Sequence, residues 1–447
     1  MLFKRRPKAK QGPSWLALIS EGKQNERYWS LEYPLKLSRQ FGEVIYLQAR
    51  KQFLITGAKA FEHILKTHHH RYKRDPFFYQ KIMFPFFGDG LLTREDEPWK
   101  VRRRAALPFY QQNTIKHYTP VIVDLAQNLI QRWQEKLPKS INMLAEMNYL
   151  NLRIVSTLMF SKALEEPTIK RVERQSRFCN FYCSHAPFWF GLDHILDGLR
   201  FRWCKYQMNR LLLGIIQARR KITQTKDDLL QRLLATTDEE THALLSDHQI
   251  LDELKTHIVA GHETTACTLS WMWYLLALHP EYQLKLETEI DQVLQGRTPT
   301  WDDIPQLVIT RAILLETSRL YPAIWSIPRT NLEADTLLGV EIPKGSSLML
   351  HIYSLHRNPD YWDNPNSFRP ERFLEPGGIS HPFAYLPFGA GPHMCIATHL
   401  APMEMILLTA TLAQNFRFQL AKQAKMNPEI CISLRPEKAL KMIPKPR

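Results

Sequence analysis

The stretch from Ser246 to Leu278 constrains this chain more than any other. Apolar residues recur at helical spacing through Leu251, Leu254 and Ile258 and onward to Leu278, and no proline interrupts them before Pro280. Ser246 and Asp247 can cap a helix start, with Glu253 in an early turn. Such a helix is much longer than the average of roughly 11 residues. It has to cross the body of the protein, and the fold has to be assembled around it.

The rest of the chain fits that frame. Pro280 ends the long helix and opens the next, which Gly296 closes. A further helix runs from about Val308 to Leu320, before Pro322, and another from about Ile396 to Phe416. Strand-like runs are few: Val44 to Leu47, Phe53 to Thr56, Leu337 to Ile342 and Ser347 to Tyr353. Residues His356 to Phe388, rich in Pro, Asn and Asp, read as an extended irregular meander, and so long an irregular stretch usually has a task. The predicted fold class is mainly α with a small β-rich lobe. The 447 residues would suggest about three domains by length alone. No linker or repeat divides them, so the expected organisation is a basic segment over 1–33 and one domain over 34–447.

The net charge of +15 admits nucleic acid, an anionic membrane or an acidic protein as partner. The basic residues come in short groups, such as Lys4 to Arg6 and Lys100 to Arg104, with no nucleic-acid-reading module, so no nucleic-acid partner is expected. Six cysteines in this length do not make a disulfide framework, which fits a reducing, cytoplasmic setting. The apolar patch Trp15 to Ile19 is far shorter than the roughly 20 residues needed to span a bilayer. Peripheral contact with a membrane stays open, because Phe181, Tyr182, Phe188, Trp189 and Phe190 could form a lipophilic lid, touch a membrane or simply pack. Cys179, Cys183 and His185 lack the second half of a zinc site.

One cysteine differs from the others. In Phe388-Gly389-Ala390-Gly391-Pro392-His393-Met394-Cys395-Ile396-Ala397, two glycines permit a tight turn just before a predicted helix start. That position favours a thiolate, which is a soft ligand for iron. A buried cysteine beside a glycine-rich turn would read the same way if it stood alone. The long helix adds Ala260-Gly261-His262-Glu263-Thr264-Thr265, where an acid, two threonines and a glycine are poor core material. Glu316 and Arg319 share one helix face, as do Trp99 and Arg103. Downstream lies Phe368-Arg369-Pro370-Glu371-Arg372-Phe373.

Together, over about Pro34 to Arg435, these motifs resemble those of the cytochrome P450 superfamily in kind and order. The resemblance implies a haem b held by Cys395 as thiolate ligand. Phe388 would pack near the sulfur, and Gly391 would shape the loop. Trp99, Arg103, His393 and Arg329 would meet the haem propionates, with His393 standing where the family usually has Arg. Glu316, Arg319 and Arg372 would form a buried ionic cluster beneath the haem. The haem would lie between the long helix and the helix that follows Cys395. The long helix would open locally at Ala260 to Thr265, with Thr264 and Glu263 handling oxygen and protons.

The activity implied is insertion of one oxygen atom from O2 into a lipophilic small molecule. Electrons would come from NAD(P)H through a separate ferredoxin, flavodoxin or reductase. Lys100, Arg102 and Arg104 could offer that donor a positive face. Ala260, Ile324 and Trp325 are the substrate-pocket candidates. Two departures bear on this reading. Ala397 replaces a glycine, and Pro402 would cost the next helix about 3 kcal/mol if it were interior. The alternatives are a peroxide-driven peroxygenase and a non-enzymatic haem-binding sensor. The Glu263–Thr264 pair argues against both, since neither needs proton delivery to oxygen.

Overall fold

The computed structural model describes residues 10–11, 31–185, 192–222, 226–237, 242–422 and 425–447. Trp15 to Ile19 and Phe188 to Phe190 lie outside the described residues. The longer helices, in chain order, are α1 (Glu32–Phe41), α2 (Asp96–Ala106), α3 (Thr119–Glu135), α4 (Met143–Phe160), α5 (Glu166–His185), α6 (Leu192–Arg220), α7 (Asp247–Leu278), α8 (Pro280–Leu294), α9 (Val308–Leu320) and α10 (Leu400–Asn415). Helices dominate, with small sheets beside them, as the sequence predicts. The residues group into two units: one comprises 1–79 and 315–395, the other 80–314 and 396–447.

The first unit holds most of the β structure. Its six-stranded sheet runs β1 (Lys10–Gln11), β2 (Val44–Leu47), β3 (Gln52–Ile55), β9 (Ser347–Leu350), β6 (Ile327–Asn331), β4 (Tyr72–Arg74). Strands β7 (Asp335–Leu337) and β8 (Val340–Ile342) form a hairpin whose turn residues Leu338 and Gly339 both take positive φ. One strand was therefore expected where two occur: Gly339 turns the chain within Leu337 to Ile342. Lys10–Gln11, inside the expected basic segment, pairs with Ile45 and Tyr46 of β2. A core of Phe53, Phe61, Leu348, Leu350 and Trp362 fastens the meander to the sheet. The meander contains only short 3-10 turns, at Pro370–Phe373 and Pro382–Ala384.

The second unit is built around α7. Ser246 caps it, with Gln249 completing the box: Ser246 Oγ accepts from the Gln249 N–H at 3.3 Å, and the Gln249 side chain accepts from the Ser246 N–H at 2.8 Å. Glu253 takes no part in this cap. It is buried, and its carboxylate accepts from Arg102 Nη1 at 3.0 Å. A sheet of β10 (Phe416–Leu420), β13 (Lys441–Pro446) and β5 (Ile141–Asn142), and a hairpin of β11 (Pro428–Ile430) and β12 (Leu434–Pro436), complete the unit.

Helix α10 starts at Leu400, four residues later than the apolar pattern suggests, because Ile396 to His399 form turns instead. This start places Pro402 third in the helix. Its missing N–H is then one of the first four that no helical carbonyl receives, so the interior-proline penalty does not apply. In the same helix Glu404 is buried, and its Oε1 has no hydrogen-bond partner among the described residues. Burial alone pushes its carboxyl up to about 8. The unfolded chain ionises that carboxyl near 4.5. Stability therefore declines as pH rises from there to about 8 and then levels off. Urea unfolding is expected to show Glu404→Gln more stable relative to wild type at pH 8 than at pH 5. An equal difference at both values would refute the assignment.

Candidate active site

Helix α7 is buried along almost its whole length from Ile250 to Leu276, but one window in its middle is uncovered. Ala260 is exposed, and Gly261 and Thr264, one turn on, are half-exposed. A side chain at Gly261 would bring Cβ to 3.1 Å from Val155 Cγ2, which tightens the packing against α4. The helix does not open here, although the resemblance implied that it would. Its hydrogen bonding is continuous from Asp247 to Leu278, and Thr264 Oγ1 donates to the Ala260 carbonyl at 2.7 Å. Thr265 and Thr268 make the same i−4 bond, at 3.1 and 3.0 Å. Such back-bonding holds a threonine hydroxyl against its own helix.

Behind the window, Glu263 is buried and fully engaged. Its Oε2 accepts from Asn180 Nδ2 at 2.6 Å, and its Oε1 accepts from Ser433 Oγ at 2.7 Å. Asn180 in turn receives the Ile432 N–H on Oδ1 at 3.1 Å, which ties α5 to the β11–β12 hairpin. An opening of about 260 Å³, part of it solvent, reaches Glu263 between Asn148, Glu173, Arg177 and Arg435. Asn148 Oδ1 and Arg435 Nη1 have no hydrogen-bond partner among the described residues. This acceptor and this donor, both buried, line one small space, and a water there would satisfy them. Sequence reasoning found Glu263 and missed Asn180, Ser433 and Arg435. They lie 83 and 170 residues away for the two bonded partners, and no local pattern links them.

In the first unit, the Cys395 N–H donates to the Phe388 carbonyl at 2.9 Å and the Met394 N–H to the Gly391 carbonyl at 3.0 Å. The turn depends on left-handed backbone at Gly389 (φ 69°) and Gly391 (φ 72°). At Gly391 a Cβ would lie 1.8 Å from the Leu65 carbonyl oxygen, so only glycine fits. Of the six cysteines, Cys395 alone is exposed; the other five are buried. Burial pushes the thiols of Cys183 and Cys431 up to about 12. His393 and Phe388 are half-buried in the same loop. Arg329, on β6, is buried, and its Nη1 donates to the Pro328 carbonyl at 3.0 Å. Because α10 begins only at Leu400, Cys395 precedes the first helical turn rather than sitting in it. The glycine turn, more than the helix end, sets its surroundings.

On α2, Trp99 is buried and the Arg103 guanidinium lies 5.6 Å from the centre of its ring. Lys100 pairs with Glu97 at the surface, and Arg104 is exposed. Arg102 is not part of that surface. It is 1 % exposed and bonded to Glu253, whose carboxyl burial pushes up to about 7 against the pull of Arg102. The expected positive face therefore loses Arg102, because neighbours on a helix point about 100° apart.

Glu316, Arg319 and Arg372 stand together, each buried. Arg319 meets Glu316 in a fork, Nε to Oε2 at 2.7 Å and Nη2 to Oε1 at 2.8 Å. Arg372 Nε reaches Glu316 Oε1 at 3.1 Å, and the Arg369 N–H donates to the same oxygen at 2.9 Å. Arg319 also donates to the carbonyls of His356, Pro365 and Ser367, at 2.7, 2.7 and 3.2 Å. One helix turn thus holds three points of the meander.

The chain matches the family model described as Cytochrome P450 over residues 11–443. It belongs to the cytochrome P450 family. It is 32% identical over 339 residues, 74% of this chain and 73% of the relative, to the cyclooctat-9-en-7-ol 5-monooxygenase of Streptomyces melanosporofaciens. It is 29% identical over 441 residues, 92% of this chain and 82% of the relative, to the cytokinin hydroxylase of Arabidopsis thaliana. It is 30% identical to cytochrome P450 3A11 of Mus musculus, over 78% of this chain and 75% of the relative. As a P450 it is an oxidoreductase that incorporates oxygen, and the family implies a haem cofactor.

The residues present suit that cofactor. A P450 haem needs an accessible thiol, and one cysteine of six is accessible. It needs an uncovered stretch on a long buried helix, and α7 has one at Ala260, Gly261 and Thr264. Among the substrate candidates, Ile324 and Trp325 are half-buried, and Trp325 stands edge-on to His351 at 5.6 Å. Among the described residues, no helix is long and apolar enough to cross a membrane.

Proposed function

We propose that this P450 is a haem-thiolate monooxygenase of lipophilic small molecules, organised as one haem domain over 34–447. The observation that carries the reading is Cys395: the single exposed thiol, in a turn that only glycine at position 391 permits, in a chain matched to the family from 11 to 443. In this reading Cys395 ligates haem b. Trp99, Arg103, Arg329 and His393 hold its propionates by hydrogen bond and charge, and Phe388 packs beside the sulfur. When bound, the haem would supply activation of O2: with two electrons from NAD(P)H, delivered by a ferredoxin, flavodoxin or reductase, and two protons, one oxygen atom would enter the substrate and the other would leave as water. Exposed Arg104 and Lys100 offer an acidic donor a docking charge.

The protein's own part is proton supply and substrate placement. Glu263 Oε1 and Oε2 already accept from Ser433 and Asn180, so the carboxylate is fixed in place and can take a proton from water held near Arg435 and Asn148. Thr264 Oγ1, released from the Ala260 carbonyl, passes it on. Ala260 of α7 and, in the other unit, Ile324 and Trp325 are the substrate-contact residues of this reading. The cyclooctat-9-en-7-ol in the name of the Streptomyces relative, an alcohol with few polar atoms, supports a lipophilic substrate class.

The test is the absorption spectrum of the reduced protein with carbon monoxide. A long-wavelength Soret band, with spin-state shifts on adding lipophilic compounds, is expected. A short-wavelength band, or protein without haem, would overturn the reading. Within it, Thr264→Ala is expected to consume reductant with little product and to release several-fold more peroxide. Unchanged coupling would remove Thr264 from the relay.

A further inference from the structure

Three of the buried cysteines, Cys179, Cys183 and Cys204, meet where α5 packs against α6. Facing side chains set the register of the two helices. Tyr182 stacks on Phe201, with ring centres 4.6 Å apart. Cys179 stands three residues back along α5, and Cys204 three residues on along α6. Residues three apart share a helix face, so the same antiparallel register sets Cys179 against Cys204. There the Cys179 thiol donates a hydrogen bond to the Cys204 sulfur. Cys183 lies one turn further along α5, where the register brings Arg200 instead of a cysteine. The Arg200 guanidinium rests 4.0 Å over the ring of Phe178, the residue before Cys179.

The two sulfurs differ in the way that oxidation by a small peroxide requires. Cys179 is fully buried, while Cys204 keeps 4 % of its surface open. The hydrogen bond from Cys179 draws the Cys204 thiol below its ordinary range, against burial and with help from Arg200. The same bond, with burial, pushes the Cys179 thiol up, so Cys179 keeps its proton. The thiolate is the form that attacks peroxide, and here it is also the sulfur that a molecule little larger than water can reach. Cys204 sulfur would displace hydroxide from hydrogen peroxide, breaking the O–O bond and becoming a sulfenic acid. Cys179 would then attack that sulfur, breaking its S–O bond and expelling a second hydroxide. The two thiol protons leave with the hydroxides, so two thiols and one peroxide give one disulfide and two waters. Two electrons pass from sulfur to oxygen. The sulfurs have to close from hydrogen-bond contact to about 2.05 Å.

We propose that Cys179 and Cys204 are an oxidation site, at which hydrogen peroxide closes a reversible disulfide that fastens α5 to α6. The cross-link would form one residue from Asn180, whose Nδ2 donates to Glu263 at 2.6 Å. The inference stands on these two helices alone and holds whichever compound the enzyme oxidises. The holoprotein would be treated with hydrogen peroxide, quenched with catalase, unfolded in N-ethylmaleimide to block free thiols, and digested with trypsin. Cleavage after Arg177, Arg200, Arg202 and Lys205 leaves Cys204 in the peptide 203–205 and both Cys179 and Cys183 in 178–200. Mass spectrometry is expected to find these two peptides joined, with loss of two free thiols per chain, and dithiothreitol should part them. Fragmentation of the joined pair should place the link at Cys179. Cys183→Ser should keep the link, and Cys179→Ser should lose it and carry Cys204 on to sulfinic acid. Wild type that yields no joined pair, or sulfinic acid at Cys204 in its place, would overturn the proposal. So would a link that fragmentation places at Cys183. Should Cys179→Ser fail to fold, Cys183→Ser decides the same point: a link lost there would mean that Cys183 is the partner.

Discussion

Cys395→Ser is expected to abolish the long-wavelength carbon monoxide band and to reduce product formation to background, while leaving the polypeptide folded. Two observations separate those effects. The Cys395 side chain is exposed, and its backbone N–H is bonded to the Phe388 carbonyl. Serine preserves that bond and the turn, so the urea midpoint of the haem-free protein should move by no more than about 0.5 kcal/mol. What serine cannot supply is a thiolate, because its hydroxyl stays protonated at neutral pH and is a hard ligand. Nor can another cysteine take over, since the remaining five are buried. Cys267→Ser is the matched control. Cys267 lies buried in α7, where burial pushes its thiol up, so the variant should lose stability yet keep the band. A band that survives Cys395→Ser would disprove the thiolate assignment.

The residues that were legible in the sequence are those whose signal is local. Both ends of α7 could be read from Ser246 and Pro280, because a cap and a proline act within one turn. The turn at Cys395 could be read from Gly389 and Gly391, because positive φ leaves a glycine signature. Glu316 and Arg319 share a helix face by spacing alone, but Arg372 joins them from 56 residues away, and only the resemblance to a family pointed there. Asn180, Ser433 and Arg435 around Glu263 could not be read at all. They converge through packing of α5, α7 and the β11–β12 hairpin, and each would pass as an ordinary solvated side chain in its own segment. Arg102 was misread for a related reason. A run of basic residues on a helix gives no sign of which member turns inward, and the partner that decides it, Glu253, lies 151 residues on. The start of α10 was misplaced because Ile396 continues an apolar pattern that hydrogen bonding does not follow.

Glu316→Ala is expected to yield little haem-loaded protein and to destabilise what does fold by about 3–5 kcal/mol. The carboxylate it removes is the shared acceptor for Arg319, Arg372 and the Arg369 N–H. Alanine would leave two guanidinium groups buried without a counter-charge, and the penalty for stranding a charge exceeds what the pair itself contributes. The loss reaches further than the three residues. Arg319, held in place by Glu316, donates to the carbonyls of His356, Pro365 and Ser367, so the meander loses the point around which it is wound. Its other end carries the Cys395 turn, which is why haem loading should fall with stability. Glu316→Gln tests charge against shape: it keeps one acceptor oxygen and the side-chain volume, so its loss should be smaller but still exceed 1 kcal/mol. Lys100→Ala, which breaks an exposed ion pair with Glu97, sets the baseline and should shift stability by less than about 0.5 kcal/mol. The check is the ratio of Soret to protein absorbance in purified material, together with the urea midpoint of each variant. Normal haem content and an unshifted midpoint in Glu316→Ala would mean that the meander is held by its apolar core around Trp362 and Phe61, with the ionic cluster incidental to it.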